Sequence, residues 1–378
     1  MADVSIDQFN DSVAIGLGKV LWSWHFCDDC LGNRRCQSAV CSSYVPRAKR
    51  YLKYYNALVL DYHDEVPLEQ QPFSTHGDIW KAISLLKSRP ELTRAEFSRL
   101  ISAPSLAHIH HNLLIDATAL IVKIVCMTDC SSLYYSPGRL EEGKMGLVWT
   151  EQAPFNKYLQ DLFPTQNHPI WSSQHGQNEA LYTRRCQLRA IKLKKHLGLT
   201  VCPTHEISDH MRLDTRRNEI KVFHYVSFLK ENLKSKNSSL LSLLPRQLLL
   251  EILDSTQRIL FPLSDAASRR LLRDLVSNSD SAFDPEIEKF ELSILSKPGE
   301  ENTSYVYLAD RLEELFQELQ SPQPRAWLEK QMQRRSGARY IMLATLVGVA
   351  FAILLGVLSL ILSSVQTWIA YQAWKHPV

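Results

Sequence analysis

The stretch Ile341–Leu362, IMLATLVGVAFAILLGVLSLIL, decides the architecture of this chain, because none of its 22 residues is charged. At about 1.5 Å of rise per residue, a helix of this length measures about 33 Å, enough to cross the roughly 30 Å hydrocarbon layer of a bilayer. A buried helix of a soluble protein, the alternative, is usually shorter and interrupted by polar residues. The stretch therefore predicts one transmembrane helix near the C-terminus, followed by a short tail at residues 363–378.

The side chains that flank this helix predict its orientation. Aromatic residues, which prefer the membrane–water interface, stand on both sides: Tyr340 before the helix, then Trp368, Tyr371 and Trp374 after it. Basic residues are concentrated before it, at Arg325, Lys330, Arg334, Arg335 and Arg339, whereas Lys375 and His376 follow it. The positive-inside rule then places the N-terminal region in the cytosol.

A span this close to the end of the chain predicts insertion after translation, as in tail-anchored proteins. We expect a membrane of the endoplasmic reticulum or another secretory-pathway membrane rather than the mitochondrial outer membrane. The N-terminus has neither the basic start nor the apolar core of a secretory signal. Glycosylation acceptors occur at Asn10, Asn237 and Asn302, and we interpret them as chance matches in a cytosolic region.

Small residues recur every fourth position within the predicted span, at Ala344, Gly348, Ala352 and Gly356. Such a row lets two helix backbones approach closely in lipid and predicts self-association. Small residues are also common in membrane helices without that role, so both interpretations stay open.

Composition predicts a mainly α protein for the remainder. Hydrophobic residues make up 45% and charged residues 22%, as in ordinary globular proteins, and glycine is scarce, with 13 residues. A formal net charge of +3 argues against a polyanion-binding protein as a whole, and binding of nucleic acid is not expected.

The predicted order of segments is a cysteine-rich start (1–45), a helical body (46–235), a second helical region (240–336), the transmembrane helix (341–362) and the tail (363–378). The boundary near residue 235 rests on Lys234–Ser239, which resembles a linker. Thr93–Glu96 predicts a capping box, and Pro245 predicts the first turn of a helix that Phe261–Pro262 ends.

Few stretches favour strands. Leu199–Cys202 and Ile220–His224 are predicted to pair as a small β-hairpin after a helix that ends at Gly198. A helix followed by two short strands would resemble a winged-helix element. Further on, Tyr305, Leu308, Leu312, Leu315 and Leu319 form an apolar stripe, with Asp310, Glu313, Glu314 and Glu318 expected on the solvent side.

One group of cysteines could bind metal. Cys27, Cys30, Cys36 and Cys41 lie within 15 residues, and four thiolates are the ligand set of a structural zinc site. The reducing cytosol favours metal over disulfides. The four-residue spacing of the second pair is unusual, so unliganded thiols in a helix–turn segment remain the alternative.

No catalytic motif is present. His205 and His210 are five residues apart, whereas a zinc-protease helix needs its histidines four apart. Gly16–Lys19 lacks the first glycine and the final hydroxyl residue of a phosphate-binding loop, and no Gly-x-Ser-x-Gly stretch occurs. We therefore expect neither a catalytic nor a cofactor-binding residue, and a non-enzyme is favoured.

Residues 184–195 are strongly basic and are predicted to form one helix. It could lie on anionic headgroups or contact nucleic acid. The favoured interpretation is a solvated face that also meets the acidic helix around Glu313.

Several local patterns occur together: Ile79–Lys87, Leu92–Glu96, Leu147–Trp149, Phe155, Leu162–Pro164, Asp209–Asp214, Val222–Glu231, Leu244–Glu251, Leu260–Pro262 and Ala370–Pro377. In these stretches, from about residue 79 to the end, the chain resembles an uncharacterised family of fungal membrane-anchored proteins. The resemblance implies a fungal origin and the anchor, and it supplies no catalytic residue. Such proteins can be encoded near secondary-metabolite genes.

Two functions are compatible with these observations. The first is a single-pass, membrane-tethered cytosolic interaction or scaffold protein that binds a protein partner. The second is an accessory protein or enzyme of a fungal secondary-metabolite pathway at the cytosolic membrane face. A zinc-dependent nucleic-acid or regulatory module is a third, weaker hypothesis.

Overall fold

The chain forms two compact units, Met1–Ser321 and Pro322–Val378. The structure, a computed structural model, describes residues 4–27, 39–66, 71–102, 111–131, 147–172, 179–235, 243–277, 283–300, 303–322 and 339–375. The predicted division of the first unit at residues 45 and 235–240 stays a prediction.

The first unit is mainly helical, as the composition predicts. Its helices are α1 (Asp11–Trp22), α2 (Ala39–Glu65), α3 (His76–Ser88), α4 (Arg94–Ile101), α5 (His111–Cys126), α6 (Phe155–Leu162), α7 (Glu179–Gln187), α8 (Ala190–Leu197), α9 (Val226–Lys234), α10 (Arg246–Asp254), α11 (Ala266–Ser277), α12 (Leu292–Leu295) and α13 (Ala309–Gln320). Helix α2 packs against α5 and α9, and α1 packs against α2, α3 and α9. The core therefore joins distant parts of the sequence.

Three short strands complete this unit: β1 (Thr200–Thr204), β2 (Arg212–Asp214) and β3 (Glu219–Phe223), in the order β1-β3-β2. The predicted neighbours β1 and β3 do pair, but they are parallel, so the prediction that they form a hairpin is wrong. The hairpin is β2–β3, whose turn is stabilised by Asp214 Oδ1 accepting from the backbone N–H groups of Arg216 and Arg217. A turn of four residues joins antiparallel strands readily, whereas parallel strands need a longer connection.

Local helix signals agree with the structure. Thr93 and Glu96 form the predicted capping box at the start of α4, and α10 follows Pro245. Helix α10 continues as a π-turn, Ser255–Leu260, and ends at Phe261. The winged-helix interpretation stays a prediction.

The basic stretch forms two helices, α7 and α8, so the prediction of a single helix is wrong. Leu188 is fully buried, and Arg189, with an extended backbone, is the N-cap of α8. The predicted meeting with the acidic helix is confirmed, because the Arg184 guanidinium pairs with the Glu313 carboxylate. The two residues between the helices, Leu188 and Arg189, thus include an apolar side chain that is buried in the core.

Helix α13 is held at its start by a carboxylate from another helix. Leu308, at its N-cap, has no side chain that could accept a hydrogen bond. Instead, the buried Glu251 of α10 accepts from the backbone N–H groups of Val306, Tyr307 and Leu308 at 2.7, 2.9 and 2.9 Å. In the predicted apolar stripe, Tyr305, Leu308, Leu312 and Leu315 are buried and Leu319 is half-buried. Of the acidic residues expected in solvent, Glu318 is buried and Glu313 is half-buried.

The start of the chain packs into the same core. Gly16 and Gly18 of α1 face the indole rings of Trp80 and Trp24. Trp24 stacks on Tyr44 with 5.0 Å between ring centroids, and its Nε1 donates to Glu231 Oε2 at 2.7 Å. The two glycines of the rejected phosphate-loop motif are therefore places where helix backbone meets tryptophan.

Candidate functional site

The second unit contains one long apolar helix, α14 (Arg339–Lys375), of 37 residues. Within it, Val347–Gln372 form a 26-residue segment long and apolar enough to cross a membrane, and no part of that segment is buried in the protein. At about 1.5 Å per residue the segment measures about 39 Å, more than the roughly 30 Å that a bilayer requires. The helix continues past the predicted end of the span at Leu362.

Polar side chains in the second half of α14 are satisfied within the helix. Ser364 Oγ donates to the carbonyl of Leu360, and Thr367 Oγ1 donates to that of Ser363, both at 2.8 Å. A hydroxyl bonded to the preceding turn can enter an apolar environment without an unpaired donor. These residues therefore do not limit the membrane segment to residues before 363.

The predicted metal site lies partly outside the described residues. Cys30 and Cys36 are among the residues that the structure does not describe, while Cys27 is half-buried and Cys41 is buried in α2. In the described part of the chain, no group of three His, Cys, Asp or Glu side chains is placed to bind a metal ion. The four-cysteine site stays a prediction.

A cleft of about 430 Å³ lies along the parallel strand pair, lined by Cys202 to Glu206 on the β1 side and by Glu219 and Lys221 of β3. The register aligns Thr204 with Phe223, so the next residues, His205 and His224, emerge side by side. His205 Nδ1 lies 3.4 Å from His224 Nε2 and 2.8 Å from the Tyr225 hydroxyl. Tyr54 of α2 stacks on the His205 ring and closes one wall.

The pKa values of both imidazoles in this group are lowered, which favours their neutral forms. Burial lowers the pKa of His205, and the nearby Arg50 lowers it further. Burial, His205 and Arg50 lower the pKa of His224 to about 2. Because burial raises the pKa of Tyr225, its hydroxyl stays protonated and can donate to His205 Nδ1.

Both lysines on the remaining walls are paired. Lys123 Nζ lies 3.2 Å from Asp129, and Lys221 Nζ lies 3.4 Å from Asp209. Burial and Glu219 raise the pKa of the Cys202 thiol, so it is not a thiolate nucleophile. The cleft therefore offers a small molecule the rings of Tyr54 and His205, two paired lysines and the carboxylates of Glu206 and Glu219.

Sequence reasoning missed this group of residues. In the sequence, His205 stands out only as one of two histidines, with His210, whose spacing does not fit a zinc protease. Its partners Tyr54 and His224 are far from it in sequence. The parallel pairing of β1 and β3 brings the histidines together, and an antiparallel hairpin would have separated them. His205 and His224 directly follow β1 and β3, but the predicted strands, which ended at Cys202 and His224, did not reveal this.

Comparison with protein-family models, with curated proteins and with solved structures finds no match to this chain. The class is therefore defined by the molecule itself. It is a mainly α protein with a small three-stranded sheet and one C-terminal apolar helix of membrane-spanning length.

Proposed function

We propose that the chain is a single-pass, membrane-tethered interaction protein whose residues 1–321 work in the cytosol. The observation that carries this proposal is the 26-residue apolar segment of α14, which buries none of its side chains against protein. Exposed apolar surface of this extent is costly in water and favourable in lipid. The endoplasmic reticulum or another secretory-pathway membrane is the proposed location.

Orientation can be tested on the full chain. A glycosylation acceptor added after Val378 should receive sugar in microsomes, because the proposal places this end in the lumen. The natural acceptor at Asn10 should stay unmodified and serves as the internal control. Sugar on Asn10, or none at the added site, would contradict the proposed orientation.

We propose self-association through Gly348, Ala352 and Gly356, with Ala344 on the same row. A Cβ added at Gly348 or Gly356 meets no atom within 4 Å, so a second helix could approach there. Gly348→Ile with Gly356→Ile should weaken dimerisation in a membrane reporter by about tenfold, because a loss of about 1.4 kcal/mol of packing has this effect. Val349→Ile with Val357→Ile, on another face, is the control. An unchanged signal from the glycine variant would remove this contact.

A second candidate function is supported by the cleft at His205. An accessory protein or enzyme of a fungal secondary-metabolite pathway would need a small-molecule site facing the cytosol, and the resemblance to fungal membrane-anchored proteins favours such a role. A small molecule that copurifies with the wild-type chain, but not with a Thr204→Trp variant that fills the cleft, would favour this candidate. Proximity labelling from the anchored chain that identifies a stable protein partner would favour the interaction protein.

A further inference from the structure

Helices α8 and α11 pack against each other and together present a basic surface. Its exposed or half-buried cationic side chains are Lys192, Lys194 and Lys195 of α8 and Arg269, Arg270 and Arg273 of α11. None of the six makes an ion pair with a described carboxylate, in contrast to Arg184 and Arg185 of α7, which pair with Glu313 and Asp254. These six cations are therefore available to an external anion.

The arginines of α11 belong to this surface because the opposite side of that helix enters the core. Leu272 is buried, and Leu271 and Leu275 are packed against the core. In α8, Leu193 and Leu197 are likewise buried, whereas Lys194 and Lys195 are exposed. Each helix thus buries its apolar side and directs its cations to solvent.

Carboxylates around this surface do not neutralise it. On the two helices, just before α11 and on the elements packed against them, the carboxylates that are neither buried nor in a described ion pair are Asp265, Asp274, Glu288, Asp310 and Glu314. With Arg189 at the start of α8, seven cations face these five carboxylates, an excess of two positive charges. Asp265 is already used by its own helix, accepting from the Ser268 hydroxyl at 2.7 Å and the Ala267 N–H at 3.2 Å.

We infer that this basic surface of α8 and α11 binds the anionic phospholipid headgroups of the membrane that holds α14. The inference rests on the proposed membrane tether, because attachment to the bilayer keeps the local concentration of headgroups high. Lysine and arginine side chains near a leaflet rich in anionic lipid are attracted to it, and the attraction falls within a Debye length. Nucleic acid could bind the same cations, but phospholipid is favoured because the proposed tether, α14, already attaches the chain to a membrane.

The test uses the full chain in nanodiscs of either phosphatidylcholine alone or phosphatidylcholine with about 30% phosphatidylserine. A water-soluble amine-acylating reagent is applied, and modification of each lysine is measured by mass spectrometry. Acylation of Lys192, Lys194 and Lys195 should slow by about threefold or more on the anionic discs and recover in about 0.5 M salt. Exposed Lys53, on α2, is the reference and should react equally on both.

A variant on α11 tests whether α8 and α11 bind lipid as one surface or whether α8 binds it alone. Arg270→Glu with Arg273→Glu should abolish the protection of the α8 lysines, whereas Arg99→Glu with Lys157→Glu, two exposed sites elsewhere, should leave it intact. Equal acylation on both types of disc would overturn the inference. The inference would also be overturned if a mixed-sequence oligonucleotide protected the α8 lysines on neutral discs while anionic lipid did not protect them. Failure of the chain to enter nanodiscs would instead contradict the proposed tether.

Discussion

Replacing Glu251 with alanine should lower the free energy of unfolding of the first unit by about 3–5 kcal/mol, because hydrogen bonds to a charged group are worth about 1.5–3 kcal/mol each. The side chain is fully buried and accepts three backbone N–H groups, as well as the Gln247 amide at 3.3 Å. Burial raises the pKa of this carboxyl to about 7, and the four donors act against that shift. Without Glu251, the three N–H groups at the start of α13 have no acceptor.

Urea unfolding of the full chain in detergent, followed by tryptophan fluorescence at about pH 8, measures this effect with the carboxyl ionised. Glu314→Ala is the matched control, since Glu314 is exposed on α13 itself and its loss should change stability by about 0.5 kcal/mol or less. A loss below about 1 kcal/mol for Glu251→Ala would mean that the carboxylate does not hold this helix start.

Gly18→Ala should destabilise the first unit by about 3 kcal/mol, as overpacking of a rigid core commonly costs 1–3 kcal/mol or more. An added Cβ would lie 1.9 Å from the Trp24 ring. The ring cannot move freely, because Tyr44 stacks on it and Glu231 accepts its N–H. In an exposed helix the same substitution would stabilise by about 1 kcal/mol.

A double-mutant cycle assigns the loss to this contact. Trp24→Leu removes the ring atoms that would meet the new methyl group. Gly18→Ala should therefore lower the free energy of unfolding less in a Trp24→Leu background than in the wild-type chain. Near-ultraviolet circular dichroism and urea unfolding follow the four proteins. An equal loss of stability in both backgrounds, or stabilisation by Gly18→Ala alone, would show that Trp24 does not lie against Gly18.

The helical fold could be predicted because its signals are local. A capping box lies within four residues, as at Thr93–Glu96, and an apolar stripe repeats within one helix, as at Leu308, Leu312 and Leu315. The apolar segment of α14 is similarly a property of consecutive residues. For such features, composition and spacing contain the physical cause of the structure.

The candidate site could not be predicted in the same way, since it depends on contacts between distant segments. In the chain, β2 comes between β1 and β3 and forms the antiparallel hairpin with β3, so that β3 runs parallel to β1. This parallel direction brings His205 next to His224. Glu318 was expected in solvent because the sequence shows only its charge, whereas its burial depends on neighbouring elements. The basic surface likewise requires α8 and α11 to pack together.

Alkaline carbonate extraction of membranes from cells that express the full chain tests the proposed tether most directly. This treatment removes proteins held by charge and leaves those whose helices are embedded in lipid. The full chain should remain in the membrane pellet, and a chain that ends at Ser321 should be in the supernatant. Recovery of the full chain in the supernatant would contradict the tether.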